Sequence, residues 1–437
     1  RLMADHLLIK GGRVVDPSSK TDQVLDVLIT NGKIARLAQS IEAENGTTEV
    51  LDATGKIVMP GFIDMHVHLR EPGFEYKEDI GTGTRAAAMG GFTAVACMPN
   101  TQPACDTDTV VGRILERAKQ TACVRVYPIG AVTKGRAGKE LAEMGEMRAA
   151  GAVAFSDDGS PVTSAEVLRC ALEYLKSFDA VLIDHPEDLS LSAGGQINYG
   201  LISTVTGLRG IPNESEEVAV ARDLLIAKLT GGRLHLAHVS TKGSVELIRQ
   251  AKAKGIRVTC EVTPHHLILT DETVLESGYD TNTKVNPPLR TQEDVAALRQ
   301  ALADGTIDAI ATDHAPHHFD EKWVEFDYAE FGISGLETAV SLIIDRLVLP
   351  GIIDWMKMAE LMSLNPARIL GVPGGTLEVG APGDITIIDP ELEYSILPHN
   401  FESKGKNTPF VGWRVTGAPY GTIVGGKVVM YDRRLAV

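Results

Sequence analysis

Phe62-Ile63-Asp64-Met65-His66-Val67-His68-Leu69-Arg70 opens as a buried strand and closes on polar groups unsuited to a core. Residues two apart on a strand point to the same side, so His66, His68 and Arg70 are expected to share one face. A single His-x-His pair is weak evidence of a metal site, because such histidines are commonly satisfied by backbone. The pattern gains weight by recurring along the chain.

Eight short apolar runs, at 62–66, 93–98, 124–128, 153–156, 180–183, 234–238, 257–262 and 309–312, alternate with stretches of helical composition. That is the pattern of βα units around a parallel sheet, and eight is the barrel number. Helix starts fit between them: Thr163-Ser164-Ala165-Glu166 reads as a capping box, and Asn213 precedes Glu216 and Glu217. Nearly every strand ends in an unusual polar residue. After His66, His68 and Arg70 come Asn100, Thr133, Asp157 and Asp158, His185, His238, His265 and His266, then Asp313, His314 and His317. A (β/α)8 TIM barrel gathers all these ends on one face, whereas an open doubly wound sheet spreads them along a line.

The two ends of the chain read differently. Residues 1–58 and 372–437 show period-two alternation with turns at Gly11-Gly12, Asn31-Gly32 and Gly425-Gly426. They predict one small β-sandwich-like domain made by both termini, flanking an α/β barrel over 59–371.

Composition excludes several classes. The formal net charge of −16 and the lack of a Lys/Arg cluster argue against nucleic acid. No apolar run approaches a membrane span, and the start shows no signal-peptide core, so a cytoplasmic protein is expected. Five cysteines without C-x-x-C spacing suggest reduced thiols rather than disulfides or a thiolate metal site.

His185, His238 and Asp313 each close a separate strand of the same predicted barrel as His66 and His68. Imidazole and carboxylate donors without thiolate suit catalytic zinc. Two metals need a bridging group, and Asp157-Asp158 offers two carboxylates; strand parity favours Asp158, leaving Asp157 as a loop or capping carboxylate. By the same parity His235 should face the helices, and His265 and His266 read as supporting or packing groups.

Taken together these residues resemble the amidohydrolase superfamily, and specifically the class I bacterial dihydroorotases. The resemblance spans nearly the whole chain, through Gly61-Phe62-Ile63-Asp64-Met65-His66-Val67-His68-Leu69-Arg70-Glu71-Pro72-Gly73, Met98-Pro99-Asn100-Thr101, Asp157-Asp158-Gly159, His238-Val239-Ser240-Thr241-Lys242, Asn286-Pro287-Pro288-Leu289-Arg290 and Ala311-Thr312-Asp313-His314-Ala315-Pro316-His317. It implies one or two zinc ions per chain, one held by His66, His68 and Asp313, a second by His185 and His238, with Asp158 spanning both. Hydantoinases carry a carbamylated lysine where this chain has aspartate. The family's His-Cys-Glu-Asp is His185-Pro186-Glu187-Asp188 here, and Pro186 removes a backbone donor beside a ligand.

The implied reaction interconverts N-carbamoyl-L-aspartate and L-dihydroorotate in de novo pyrimidine biosynthesis. Zinc lowers the pKa of bound water to about 7; Asp313 would accept the water proton and pass it to the ring nitrogen. Arg70 would fork onto the substrate carboxylate. By resemblance Asn100, Asn286, His317 and the backbone at Phe331-Gly332 would also meet substrate, although Asn286 could instead cap a turn before Pro287-Pro288. The polar segment from His317 to Phe331 reads as a mobile cover. The resemblance leaves open a homodimer and a complex with aspartate transcarbamoylase. The rival readings are an allantoinase or other cyclic-ureide hydrolase, and a non-catalytic scaffold for aspartate transcarbamoylase.

Overall fold

Alternation between large and small apolar residues shapes the centre of the molecule. The computed structural model describes residues 6–43 and 47–436. Its barrel strands are β1 (Phe62–Val67), β2 (Phe92–Cys97), β3 (Arg125–Gly130), β4 (Ala154–Ser156), β5 (Val181–Asp184), β6 (Arg233–Leu236), β7 (Val258–Val262) and β8 (Ala309–Ile310). All neighbours pair in parallel and in chain order. One face turns Phe62, Phe92, Phe155, Leu182, Leu234 and Val258 toward the helices. The other fills the interior with smaller groups, among them Ile63, Ala94, Ala96, Ile183 and Ala309, so the barrel is packed rather than hollow.

Closure falls between β1 and the segment after β8. Val67 pairs with His314, and His68 N donates to His314 O at 2.9 Å. Asp64 ties the same seam. Its Oδ1 accepts from His66 N at 3.1 Å and Thr312 N at 3.2 Å, and its Oδ2 accepts from Thr312 Oγ1 at 2.5 Å.

Both termini meet in one nine-stranded sheet. Ile57–Pro60 lies at its centre, parallel to His6–Asp16 on one side and antiparallel to Ile385–Ser395 on the other. The turn expected at Gly11-Gly12 is instead a β-bulge within the single strand His6–Asp16. Gly11 adopts φ +71° there and its N–H goes to Asp26 Oδ1, which lets the strand continue. Arg125 on β3 forks onto Asp384 at 2.7 and 3.0 Å, bracing the sheet against the barrel.

Of the helix starts read from sequence, Ser164 caps Ala165–Leu175 by accepting from Val167 N. Asn213 does not cap: Pro212 occupies that position, and the Asn213 amide is drawn away to Asp294. Between Ser395 and Arg414 the chain leaves the terminal sheet, and Ile396 and Phe410 pack with Leu289, Ile333 and Leu342 on the barrel side.

Asp64→Ala is expected to lower unfolding stability by about 2–4 kcal/mol, because three donors lose a buried acceptor at the barrel seam. Urea unfolding of the purified chain measures this, and a midpoint equal to wild type would show that the seam does not depend on Asp64.

Candidate metal centre and substrate mouth

A β-bulge aims the first two histidines. Asp64 pairs with Val95 but Val67 pairs with Cys97, so β1 carries one extra residue just before its end. The extra residue reverses the parity, sending Val67 and Leu69 outward and leaving His66 and His68 to face the barrel mouth. Strand alternation alone does not deliver the other groups. His238, Asp313 and Arg70 adopt left-handed φ of +31°, +50° and +64°, a backbone strain of about 1–3 kcal/mol each that concentrates at functional sites.

Asp158 stands at the centre, 2 % exposed. Its Oδ2 lies 3.2 Å from His66 Nε2 and 3.4 Å from His68 Nε2. Its Oδ1 lies 3.7 Å from His185 Nδ1 and 3.6 Å from His238 Nε2. Asp313 Oδ1 sits 3.3 Å from His66 Nε2 and 3.0 Å from His68 Nε2. All six candidate ligands therefore converge, in three overlapping groups whose donor atoms lie within 4.8 Å of one another. Asp157 turns away, accepting from the N–H groups of Val132 and Thr133 and from the Thr133 hydroxyl.

The far nitrogen of three rings is engaged, which fixes the near one. His66 Nδ1 donates to Glu261 Oε1 at 2.5 Å, His68 Nδ1 to Asn100 Oδ1 at 2.8 Å, and His185 Nε2 to Glu187 Oε2 at 2.7 Å. Partners of this kind orient metal-binding imidazoles. His66 Nε2, Asp158 Oδ1 and His238 Nδ1 are buried with no hydrogen-bond partner. A compact set of nitrogen and oxygen donors with unsatisfied buried atoms fits a divalent metal, and the residues present could hold two.

The electrostatics agree. Burial pushes His66 down, yet Asp158, Glu261 and Asp313 raise it well above its ordinary value. His185 is likewise lowered by burial but carried to about 10 by Asp158 and Glu187. Burial raises Asp158 and Asp313, and the imidazoles outweigh it, holding both carboxyls below the usual range. Glu261 follows the same pattern and lies at about 2, with His66 and His235 outweighing burial. These carboxylates favour the charged forms of His66 and His185, and a bound cation would take the place of that charge.

Two residues differ from their sequence reading. His235 does not face the helices: its ring is fully buried inside the barrel, 3.0 Å from Glu261 Oε2 and 2.7 Å from Thr259 Oγ1. The parity argument fails because β6 ends at Leu236 and the chain turns before His238. Arg70 likewise reaches the site by its left-handed turn rather than by strand parity, since β1 ends at Val67. His266 is a packing group, held by Thr263 Oγ1 and Pro287 O, whereas His265 Nε2 is buried and unpartnered.

Beside this centre lies a second set of groups. Arg70 is 9 % exposed and its Nη2 lies 3.3 Å from His317 Nε2, which is itself 2.9 Å from Phe331 O. Burial first, then Arg70, Lys322 and Lys77, push His317 down to about 3 despite its contact with Glu321. Asn286 Nδ2 donates to Glu187 Oε2 at 3.1 Å, the same oxygen that holds His185. Gly332 has φ +150°, and a Cβ there would lie 2.7 Å from Ala315 O and 2.9 Å from His317 Nε2, so no larger residue fits.

The segment from His317 to Phe331 flanks a cavity of about 810 Å3 bordered by His317, Tyr279, Trp323, Lys404 and Asn407. None of the six converging ligands lines it. Lys322 pins the segment by donating to Thr281 O, Lys284 O and Glu330 O, while Phe319, Trp323 and Tyr328 stay exposed. Sequence reading missed Glu261, Glu187 and Asn407. Glu261 left a signal as an inward carboxylate between outward Cys260 and Val262, and Glu187 as part of the run His185-Pro186-Glu187-Asp188.

Known proteins resemble this chain in sequence and fold. A Dihydro-orotase-like family model covers residues 55–244. The chain is 59 % identical over 427 residues to a dihydroorotase of Pelotomaculum thermopropionicum, covering 98 % of this chain and 99 % of the relative. It is 54 % identical to one of Geobacter metallireducens, covering 97 % and 99 %. Among solved structures it resembles the L-hydantoinase (dihydropyrimidinase) of Arthrobacter aurescens with a TM-score of 0.88 at 29 % identity, covering 99 % and 97 % of the two chains. A dihydropyrimidinase from Brevibacillus agri gives 0.85 at 25 %, covering 99 % and 96 %. With relatives so similar over almost its full length, the chain belongs to the dihydroorotase family.

Proposed function

We propose that this protein is a zinc-dependent dihydroorotase that interconverts N-carbamoyl-L-aspartate and L-dihydroorotate in de novo pyrimidine biosynthesis. The observation that carries the substrate is the state of Arg70. Its guanidinium is buried, yet it hydrogen-bonds Pro316 O and His317 Nε2, neither of which is an anion. A buried cation without a paired carboxylate is costly, and a substrate carboxylate would relieve that cost in two-point geometry. Allantoin and hydantoin have no carboxylate to place there, which disfavours the cyclic-ureide reading. A scaffold without activity would have no need of all six converging ligands.

His66 and His68 with Asp313 would hold one zinc, His185 and His238 a second, and Asp158 would span them. When bound, zinc polarises the ring carbonyl and makes water nucleophilic near neutral pH. The chain's own groups do the rest. Asp313, kept ionised by its imidazole neighbours, accepts the proton of the attacking water and returns it to the departing ring nitrogen; in the synthetic direction it runs the same transfer backwards. Arg70 and His317 hold the carboxylate. Asn100, Asn286 and the backbone of Phe331-Gly332 fix the ring edge, and the barrel wall limits water.

We take 59–371 as the catalytic unit and 1–58 with 372–437 as the second domain, with strand Ile57–Pro60 of the terminal sheet crossing that boundary and 396–413 reaching over to the barrel. Among the described residues no helix is long and apolar enough to cross a membrane, and the cysteines are free, which supports action in the cytosol.

The test is direct. Purified, zinc-loaded protein should close carbamoyl aspartate and open dihydroorotate while leaving allantoin untouched; turnover of allantoin alone would contradict the reading. Asp313→Asn should lose at least about a thousandfold in kcat in both directions with zinc retained, and near-normal kcat would remove Asp313 from proton transfer. Arg70→Lys should raise KM for dihydroorotate about thirtyfold or more, since a point charge replaces the fork. An unchanged KM would place the carboxylate elsewhere.

A further inference from the structure

The strands Ile385–Ser395 and Arg414–Val424 pair antiparallel up to Ser395 opposite Arg414. A tight turn could join such ends. Instead residues 396–413 travel to the barrel and are fastened there by two carboxylates. Half-buried Glu337 accepts from Glu402 N and Ser403 N at 3.0 Å each. Glu78, fully buried, accepts from Lys404 N at 3.1 Å and from the Ser403 hydroxyl, and holds His314 Nε2 at 3.1 Å. Polar anchors of this cost need every member satisfied, and they fix geometry more strictly than apolar packing.

Within this strap lies Asn407, 4 % exposed. Its Nδ2 donates to Ala315 O and to Gly332 O, both at 3.0 Å. Its Oδ1 accepts from His317 N at 3.0 Å and Ser334 Oγ at 2.9 Å, and its backbone oxygen accepts from Ser334 N at 2.8 Å. Both amide donors are used, and the oxygen accepts from His317 N and shares the Ser334 hydroxyl with Gly405 O, 2.9 Å away. Two carbonyls face the nitrogen, while an N–H and a hydroxyl face the oxygen, so the amide's orientation follows from its partners.

We propose that Asn407 is a positioning residue for substrate, setting the spacing between His317 on one side of the mouth and Phe331-Gly332 on the other. The inference rests on the reading of those groups as the carboxylate and ring-edge contacts of dihydroorotate. Asn407 does not touch the reacting atoms. It holds the turn at residues 315–317 and the backbone at Gly332 at the two ends of one planar amide, alongside the direct bonds Ala315 N to Ile333 O and His317 Nε2 to Phe331 O, so its loss loosens the spacing of the walls without disturbing the converging histidines.

Wild type, Asn407→Ala and the milder Ser334→Ala are compared as zinc-loaded full chains. The readouts are dihydroorotate kinetics, zinc content and amide hydrogen exchange at His317. Asn407→Ala should raise KM about tenfold while kcat falls less than about threefold, with zinc content unchanged and faster exchange at His317. Ser334→Ala, which removes one contact to the same amide, should raise KM about threefold. Should Asn407→Ala fail to fold, Ser334→Ala decides alone. A folded Asn407→Ala with wild-type KM and wild-type exchange, or Ser334→Ala with wild-type KM, overturns the inference. A variant in which kcat and zinc content fall together at constant KM also overturns it, assigning Asn407 to general stability. If wild type does not turn over dihydroorotate, the functional reading falls, and exchange at His317 still decides whether Asn407 holds the mouth.

Discussion

One buried carboxylate faces four imidazoles. Asp158 directs one oxygen to His66 and His68 and the other to His185 and His238, and much of the remaining structure serves to keep it there. A charge with so little water around it must be compensated by neighbours. Its compensation arrives from strands β1, β5 and β6, which lie far apart in sequence and meet only because the barrel closes. The bulge before the end of β1 and the left-handed turns at His238 and Asp313 are the local costs of that meeting. Packing elsewhere in the barrel offsets them.

Around that centre Glu261 is as deeply buried as the ligands, while Glu187 and Asn100 are half-buried. Glu261 engages His66 and His235 at once, and Glu187 engages His185 and Asn286. The second links the histidine cluster to the substrate side by a single carboxylate, so Asn286 and His185 cannot move independently. Pro186 lies between them in the chain, and the imidazole nonetheless reaches its neighbours. The mouth is built differently, with backbone atoms at Ala315, Pro316, Phe331 and Gly332 doing much of the positioning and a strap from the C-terminal domain holding them.

The eight barrel strands, the joining of both termini in one sheet and the six converging side chains were legible in the sequence. Each strand is a short apolar run, and each candidate ligand lies where such a run stops. Period-two reasoning also separated Asp158 from Asp157. It failed for His235, because β6 stops at Leu236 and parity has no meaning across the turn to His238. It reached the correct location for Arg70 by an incorrect route, since φ +64° turns that residue after β1 has ended. Asn407 could not be read at all: it lies in an irregular segment with no periodicity, and its role depends on contacts to residues 73 and more positions away. Glu261 was readable in principle, as a carboxylate on the inward face of β7.

X-ray absorption at the zinc edge of the zinc-loaded chain tests the central claim most directly. The account predicts one or two zinc ions per chain, surrounded by nitrogen and oxygen alone. Sulfur in the coordination shell, or the absence of any bound zinc, would contradict it.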